Sequence, residues 1–119
     1  MANEKYHPDF YVDLASIDVK LAERFDLFLG LLLKEKELLH KYPIENTAQL
    51  KKPTLSYYGY RKVKFHSSNP REKSNMRLIY RYIEDTDTLQ FLAVGFRRDT
   101  PKNIYEIAEE RENKDFINL

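Results

Sequence analysis

The stretch Asn75–Tyr105, NMRLIYRYIEDTDTLQFLAVGFRRDTPKNIY, decides how this chain is read. Met76–Ile83 and Leu89–Phe96 are dense in β-branched, aromatic and aliphatic residues, the composition of buried strands. The linker Glu84-Asp85-Thr86-Asp87-Thr88 is polar and turn-like, so the two runs read as a β-hairpin, with Arg77, Arg81, Arg97 and Arg98 along it. Upstream, Gly59–His66 reads as a third strand. Its alternation puts Tyr60, Lys62, Lys64 and His66 on one face and Arg61, Val63 and Phe65 on the other. A sheet with one apolar and one cationic face predicts a site for a polyanion.

Four pieces in this order, KVKFHSS (62–68), MRLIYRYIED (76–85), LQFLAVGFRRD (89–99) and IYEIAEER (104–111), resemble the RelE/ParE superfamily of bacterial toxins from toxin–antitoxin pairs. Members of that family carry a lysine-bearing strand, an Arg-(Leu/Val)-(Ile/Val)-Tyr strand, a (Val/Ile)-Gly-x-Arg strand and a late tyrosine, after an N-terminal helical hairpin. The resemblance covers residues 60–111 well and the helical region loosely. It implies an α+β fold: a helical hairpin packed on a small, mostly antiparallel twisted sheet, followed by a short C-terminal helix.

The chain has 119 residues, enough for a single domain with one modest core. We divide it into a helical region over 1–45, a sheet over 55–98, and a C-terminal helix and tail over 103–119. There is no cysteine, which rules out a disulfide framework or a thiol nucleophile and is compatible with a reducing compartment. The start, MANEKYHPDF, lacks the pattern of a secretory signal, and the longest apolar run, Leu27–Leu33, falls well short of a membrane span. The expectation is a soluble, cytoplasmic protein with no membrane contact. The net charge of +1 conceals a polarity, because residues 51–105 hold 12 Lys/Arg against 5 Asp/Glu and the flanks are acidic. That pattern favours a local anion-binding surface.

Residues 1–7 read as a lead-in without a strand pattern, although the family opens with an edge strand. His7-Pro8-Asp9 suits a helix start, with Phe10, Leu14 and Ile17 close to one face. Asp18 reads as the N-cap of a longer helix reaching about His40, with apolar residues at three- and four-residue spacing. Leu27, Leu31 and Leu38 widen its stripe, which predicts a further helix packed there, from this chain or a partner. Gly30 in mid-helix predicts close packing against the sheet. Tyr42-Pro43 ends the helix. Asn46 or Thr47 could cap a short turn through Leu50, which Lys51-Lys52-Pro53 would break. Ser67–Asn75 reads as a mobile polar loop. Ile104–Arg111 reads as a helix, and Glu112 and Asp115 extend an acidic, solvated tail.

The resemblance assigns catalytic roles to Lys62, Lys64, Arg77, Arg97 and Tyr105. The lysines would contact RNA phosphate or assist proton transfer, Arg77 and Arg97 would be phosphate ligands, and Tyr105 would stack on or orient the RNA. His66, Arg81 and Arg98 support substrate binding; His66 has the side chain best suited to proton transfer near neutrality. Each also has a plainer reading: strand lysines that discourage edge pairing, arginines paired with Glu84, Asp87 or Asp99, a tyrosine lid on the core, an incidental histidine.

His7, His40 and His66 lack metal-ligand spacing, and there is no phosphate loop, dinucleotide fingerprint or nucleophile elbow. An enzyme built from these residues is expected to need no metal or organic cofactor. The chemistry that fits is RNA cleavage by its own 2′-hydroxyl, leaving a 2′,3′-cyclic phosphate, with fixed cations stabilising the charge that builds on the phosphoryl oxygens. Lysine can surrender its proton when crowded by other cations whereas arginine stays charged, so Lys64 or Lys62 is the candidate base.

The first expectation is therefore a toxin that cleaves ribosome-bound mRNA, with an antitoxin, the ribosome and mRNA as partners. The alternatives are a ParE-like inhibitor of DNA gyrase and a non-catalytic binding module of the same fold.

Overall fold

The computed structural model describes residues 2–45, 47–67, 73–111 and 116–118. The fold is α+β, as expected. Strand β1 (Asn3–Tyr6) precedes helices α1 (Phe10–Leu21) and α2 (Phe25–Lys41), which form the helical hairpin. Strand β2 (Ala48–Gln49) and helix α3 (Pro53–Tyr57) lead to β3 (Arg61–Phe65), β4 (Met76–Ile83) and β5 (Thr88–Phe96), and helix α4 (Ile104–Glu110) follows. The sheet order is β1-β5-β4-β3-β2, with β1 parallel to β5 and every other pair antiparallel.

The hairpin forms where the composition places it. A 3-10 turn at Glu84–Thr86 and a left-handed Asp87 (φ 48°) reverse the chain. The pairing contains one irregularity: Ile79 pairs with Ala93 and Tyr80 with Phe91, which leaves Leu92 as an extra residue in β5. Such a bulge resets the alternation of everything downstream. Phe91 and Val94 pack with the helical hairpin, whereas Leu92 and Ala93 both pack on the opposite face. Gly95 is consequently carried to that opposite face, opposite Arg77.

Both faces of the sheet bury apolar side chains, which corrects the expectation of one apolar and one cationic face. Under α1 and α2, Phe10, Ile17, Phe28 and Leu32 pack with Phe65, Leu78, Tyr80 and Phe91. On the other face a smaller cluster joins Leu55, Tyr60, Ile79, Leu92 and Ala93 to Ile104 and Ala108 of α4. The basic residues occupy what this second cluster leaves uncovered.

Several local expectations change. Residues 3–6 are an edge strand and not a lead-in, because Tyr6 packs its ring against Phe10 and Phe91, each 5.1 Å away between centroids. Asp18 lies inside α1, and the helices are parted instead by a 3-10 turn at Ala22–Arg24, where Ala22 has φ 52°. That reversal lets Ile17 and Leu21 on one helix and Phe28 and Leu32 on the next reach the same sheet face. Gly30 is exposed with nothing within 4 Å of where a Cβ would stand, so it makes no close contact with the sheet. Of the residues that widen the α2 stripe, Leu27 and Leu38 stay exposed and Leu31 packs partly against the core.

Asn46 lies outside the described residues. Thr47 accepts from Arg61 Nε (2.8 Å) and caps no helical turn. Ala48–Gln49 is a strand and Pro53 opens α3, as suits proline in a first helical turn. The loop expected at Ser67–Asn75 has its ends tied by Asn75, which bonds the Ser67 amide and hydroxyl at 2.9 Å each; residues 68–72 lie outside the description, as do Glu112 and Asp115. Among the described residues no helix is long and apolar enough to cross a membrane.

Strand β1 accompanies β5 only as far as Phe91. At the bulge just beyond, side chains take up the backbone polar groups: the Val94 amide donates to Asp13 Oδ2 (3.0 Å) and the Leu92 carbonyl accepts from Arg111 Nη1 (3.1 Å). Arg111 and Asp13 also form a two-pronged pair at 2.6 and 2.5 Å, with side chains only 9% and 6% exposed. Burial pushes the Asp13 carboxyl up; Arg111 and the Val94 amide oppose it. Removing one partner strands the other charge, so Arg111→Ala is expected to lower stability by about 3–5 kcal/mol in urea unfolding. A loss under about 1 kcal/mol would contradict this assignment.

Strand β1 is held to α2 through Glu4. Burial tends to raise this carboxyl, but bonds from His40, Tyr6 and Lys36 together hold it at about 2, against 4.5 when free. A depressed folded value means the stabilisation is complete above about pH 4.5 and is lost as pH falls toward about 2. The melting-temperature gap between wild type and Glu4→Gln should therefore be open at pH 6 and narrow steadily between pH 4.5 and 2. A gap that does not change with pH would show that Glu4 holds no such charge.

Candidate functional site

The register of three strands builds the floor of a cleft. Lys64 pairs with Arg77 and Arg77 with Gly95; one step along, Lys62 pairs with Ile79 and Ile79 with Ala93. Because side chains alternate, Lys62, Lys64 and Arg77 rise from the same face as Gly95. Arg97 follows two residues after Gly95, with its amide donating to the Asn75 carbonyl (2.8 Å). The open cleft has a volume of about 640 Å3 and is lined by Lys62, Lys64, Arg77, Arg97 and Tyr105 together with Lys51, Lys52, Lys73 and Ser74.

Helix α4 reaches this floor because Gly95 has no side chain. A Cβ there would stand 3.1 Å from Ile104 Cδ1, so the glycine permits the close approach that seats Ile104 and sets Tyr105 over the cleft. Asn103 caps the helix by accepting from the Glu106 amide (3.0 Å), and the Glu106 side chain accepts in return from the Asn103 amide (3.1 Å).

The cationic side chains are held differently. Arg77 is 4% exposed. It donates through Nε to the Tyr105 hydroxyl (2.9 Å) and through Nη1 to the carbonyls of Ser74 (3.1 Å) and Met76 (2.8 Å). Lys62 places Nζ 5.4 Å from the centre of the Tyr105 ring. Tyr105 thus receives Arg77 at its hydroxyl and Lys62 at its face. Lys64 and Arg97 are exposed, and among the described residues neither has a carboxylate partner. Asp99, considered above as a partner for the arginines, pairs with Lys20.

Among the described residues no acidic side chain lines the cleft. A buried guanidinium without a counter-ion, surrounded by further cations, is an arrangement that an anionic ligand relieves. Geometrically, the floor can surround a phosphoryl group from several sides while Tyr105 offers a hydroxyl and a ring.

The five residues expected to be catalytic are brought together; the three expected to support binding are not in the lining. Arg81 is engaged by the fold, donating to Gln90 Oε1 (2.7 Å) and the Tyr58 carbonyl (3.3 Å) and stacking 4.7 Å from the Tyr60 ring. His66 lies just past β3 and acts electrostatically on Glu35 of α2. Arg98 is exposed outside the cleft. Lys51, Lys52, Lys73 and Ser74 were missed; the adjacent Lys51-Lys52 pair carried a signal only as local charge, since nothing in its pattern shows that the chain returns to the cleft.

No family model matches the sequence, and comparison with curated protein sequences finds no match. Among solved structures, the chain is similar to a free-state structure of an arginine-to-alanine double mutant of E. coli toxin RelE. The TM-score is 0.58 at 18% identity, over 95% of this chain and 100% of that one. The fold is RelE-like. At that identity the likeness speaks for the fold, and the case for function rests on the cleft.

The two arginines should separate in a stability measurement. Arg77→Ala removes charge-assisted bonds from Tyr105 and two carbonyls and is expected to cost about 1–3 kcal/mol. Arg97→Ala removes an exposed side chain without a partner and should stay within about 0.5 kcal/mol of wild type. Equal losses in parallel urea unfolding would contradict these placements.

Proposed function

We propose that this protein is a RelE-type toxin: a metal-independent endoribonuclease that cleaves ribosome-bound mRNA and is held in check by an antitoxin. The observation that carries this reading is the convergence of Lys62, Lys64, Arg77, Arg97 and Tyr105 on one cleft that, among the described residues, has no lining carboxylate.

In the proposed reaction the ribose 2′-oxygen loses its proton to a base, attacks the adjacent phosphorus and expels the 5′-oxygen, which takes up a proton from water to become a 5′-hydroxyl, leaving a 2′,3′-cyclic phosphate. Lys64 or Lys62 serves as the base. Negative charge grows on the non-bridging oxygens as the new bond forms, and a fixed cation there stabilises the transition state more than the bound substrate. Arg97 supplies that cation, because it reaches the cleft with its guanidinium free of carboxylates among the described residues. Arg77 acts by holding the Tyr105 hydroxyl and adding positive potential from below. Tyr105 orients the strand, with its ring fixed between Lys62 and Arg77.

Inducible expression in bacteria of wild type and Arg97→Ala, scored for growth and for mRNA 5′ ends inside translated reading frames, tests this reading. Arrest with new ends, both lost in a folded Arg97→Ala variant, is expected. Arrest with intact mRNA and gyrase-dependent DNA breaks would move the target to gyrase; normal growth at verified levels of folded protein would leave a binding module.

A further inference from the structure

The cleft has a wall that the strand floor does not explain. Lys51 and Lys52 line it from the segment between β2 and α3, on the far side of β3 from Arg97. Going from the end of β5 across β4 and β3 to β2 takes three strand spacings, which puts roughly 15 Å of backbone between the two sides. Tyr60, just before β3, and Leu50 and Leu55 are buried together, and this fixes where Lys51 and Lys52 stand relative to the floor.

The charge balance points the same way. Among the described residues seven Lys/Arg line the cleft, and one of them, Lys52, pairs with a carboxylate, the partly exposed Glu109 of α4 at 3.4 Å. One phosphodiester brings a single negative charge, which leaves this set largely uncompensated. Several consecutive phosphates of one strand would balance it.

Building on the reading of the cleft as an RNA site, we propose that Lys51 and Lys52 form a second phosphate subsite, which engages a phosphate of the single-stranded RNA neighbouring the one held over Lys64, Arg77 and Arg97. Glu109 competes with that phosphate for Lys52. The wall therefore sets how the strand lies across the cleft, and Glu109 tempers how tightly it is held.

The test is binding of a fluorescein-labelled, uncleavable 2′-O-methyl hexaribonucleotide, followed by anisotropy across a series of KCl concentrations. Each neutralised phosphate on a single strand contributes about 0.7 to the slope of log affinity against log salt. Replacing both lysines (Lys51→Gln with Lys52→Gln) removes one phosphate contact and should reduce the slope by about 0.7 and weaken binding roughly fivefold at 0.1 M KCl. Glu109→Gln should tighten binding, by about twofold given the worth of an exposed ion pair, a gain that misfolding does not produce.

If the double substitution and Glu109→Gln leave affinity and slope unchanged while Lys64→Gln or Arg97→Ala weakens binding, the second subsite is wrong and the cleft reading stands. If none of these variants alters binding of the hexamer, both are wrong. A double substitution that weakens a dinucleotide carrying one phosphate as much as the hexamer would also overturn the subsite, because the lysines would then act only through their field.

Discussion

The buried Asp13–Arg111 pair is the interaction on which the geometry of this molecule depends. It sits where β1 stops accompanying β5 and where Leu92 is inserted as an extra residue. A strand that loses its neighbour in the interior leaves polar backbone groups without partners, at a cost comparable to the lost bonds. Here the Asp13 carboxylate and the Arg111 guanidinium take up those groups and also neutralise each other. The same contact joins α1, β5 and the end of α4. With Gly95 admitting Ile104 at the other end of α4, it fixes the helix that carries Tyr105.

The bulge gives this packing a consequence for chemistry. If Leu92 were paired in register instead of bulged, strict alternation from Phe91 would turn Gly95 toward the helical hairpin, and Arg97 with it. With Leu92 inserted, Gly95 lies on the face of Lys64 and Arg77, and α4 docks over it. The cations are then sorted by how the fold uses them. Arg81 and Arg111 are tied into the structure, Arg77 is half framework and half site, and Lys64 and Arg97 are free of protein carboxylates among the described residues. The free ones are those that can respond to a ligand.

Much of the sheet is legible in the sequence because its signals are local. The strands of the hairpin, the polar turn between them and the lysine-bearing strand are written in runs of five to nine residues, and the order of the motifs brings the five cleft residues together. Less legible are features that depend on tertiary contact. Strand β1 has four residues and exists because Tyr6 finds Phe10 and Phe91 and because Glu4 finds Lys36 and His40. The turn at Ala22 lacks a glycine or proline to announce it. Arg77 and Arg81 look equivalent in MRLIYRYIED, yet one lines the cleft and the other stacks under Tyr60, a difference made by what packs above each end of β4. Lys51 and Lys52 read as a helix breaker's flank, and only the path from β2 into α3 carries them to the cleft.

The central claim is that a nucleic-acid strand lies in the cleft between β3, β5 and α4. The most direct measurement is a two-dimensional amide NMR titration with an uncleavable single-stranded oligoribonucleotide at low salt. The account predicts that the largest shifts fall on Lys62, Lys64, Gly95, Arg97 and Tyr105 and collapse as salt is raised, while the exposed leucines of α2 stay still. Shifts concentrated on α2, or a cleft that remains silent at saturating oligonucleotide, would contradict it.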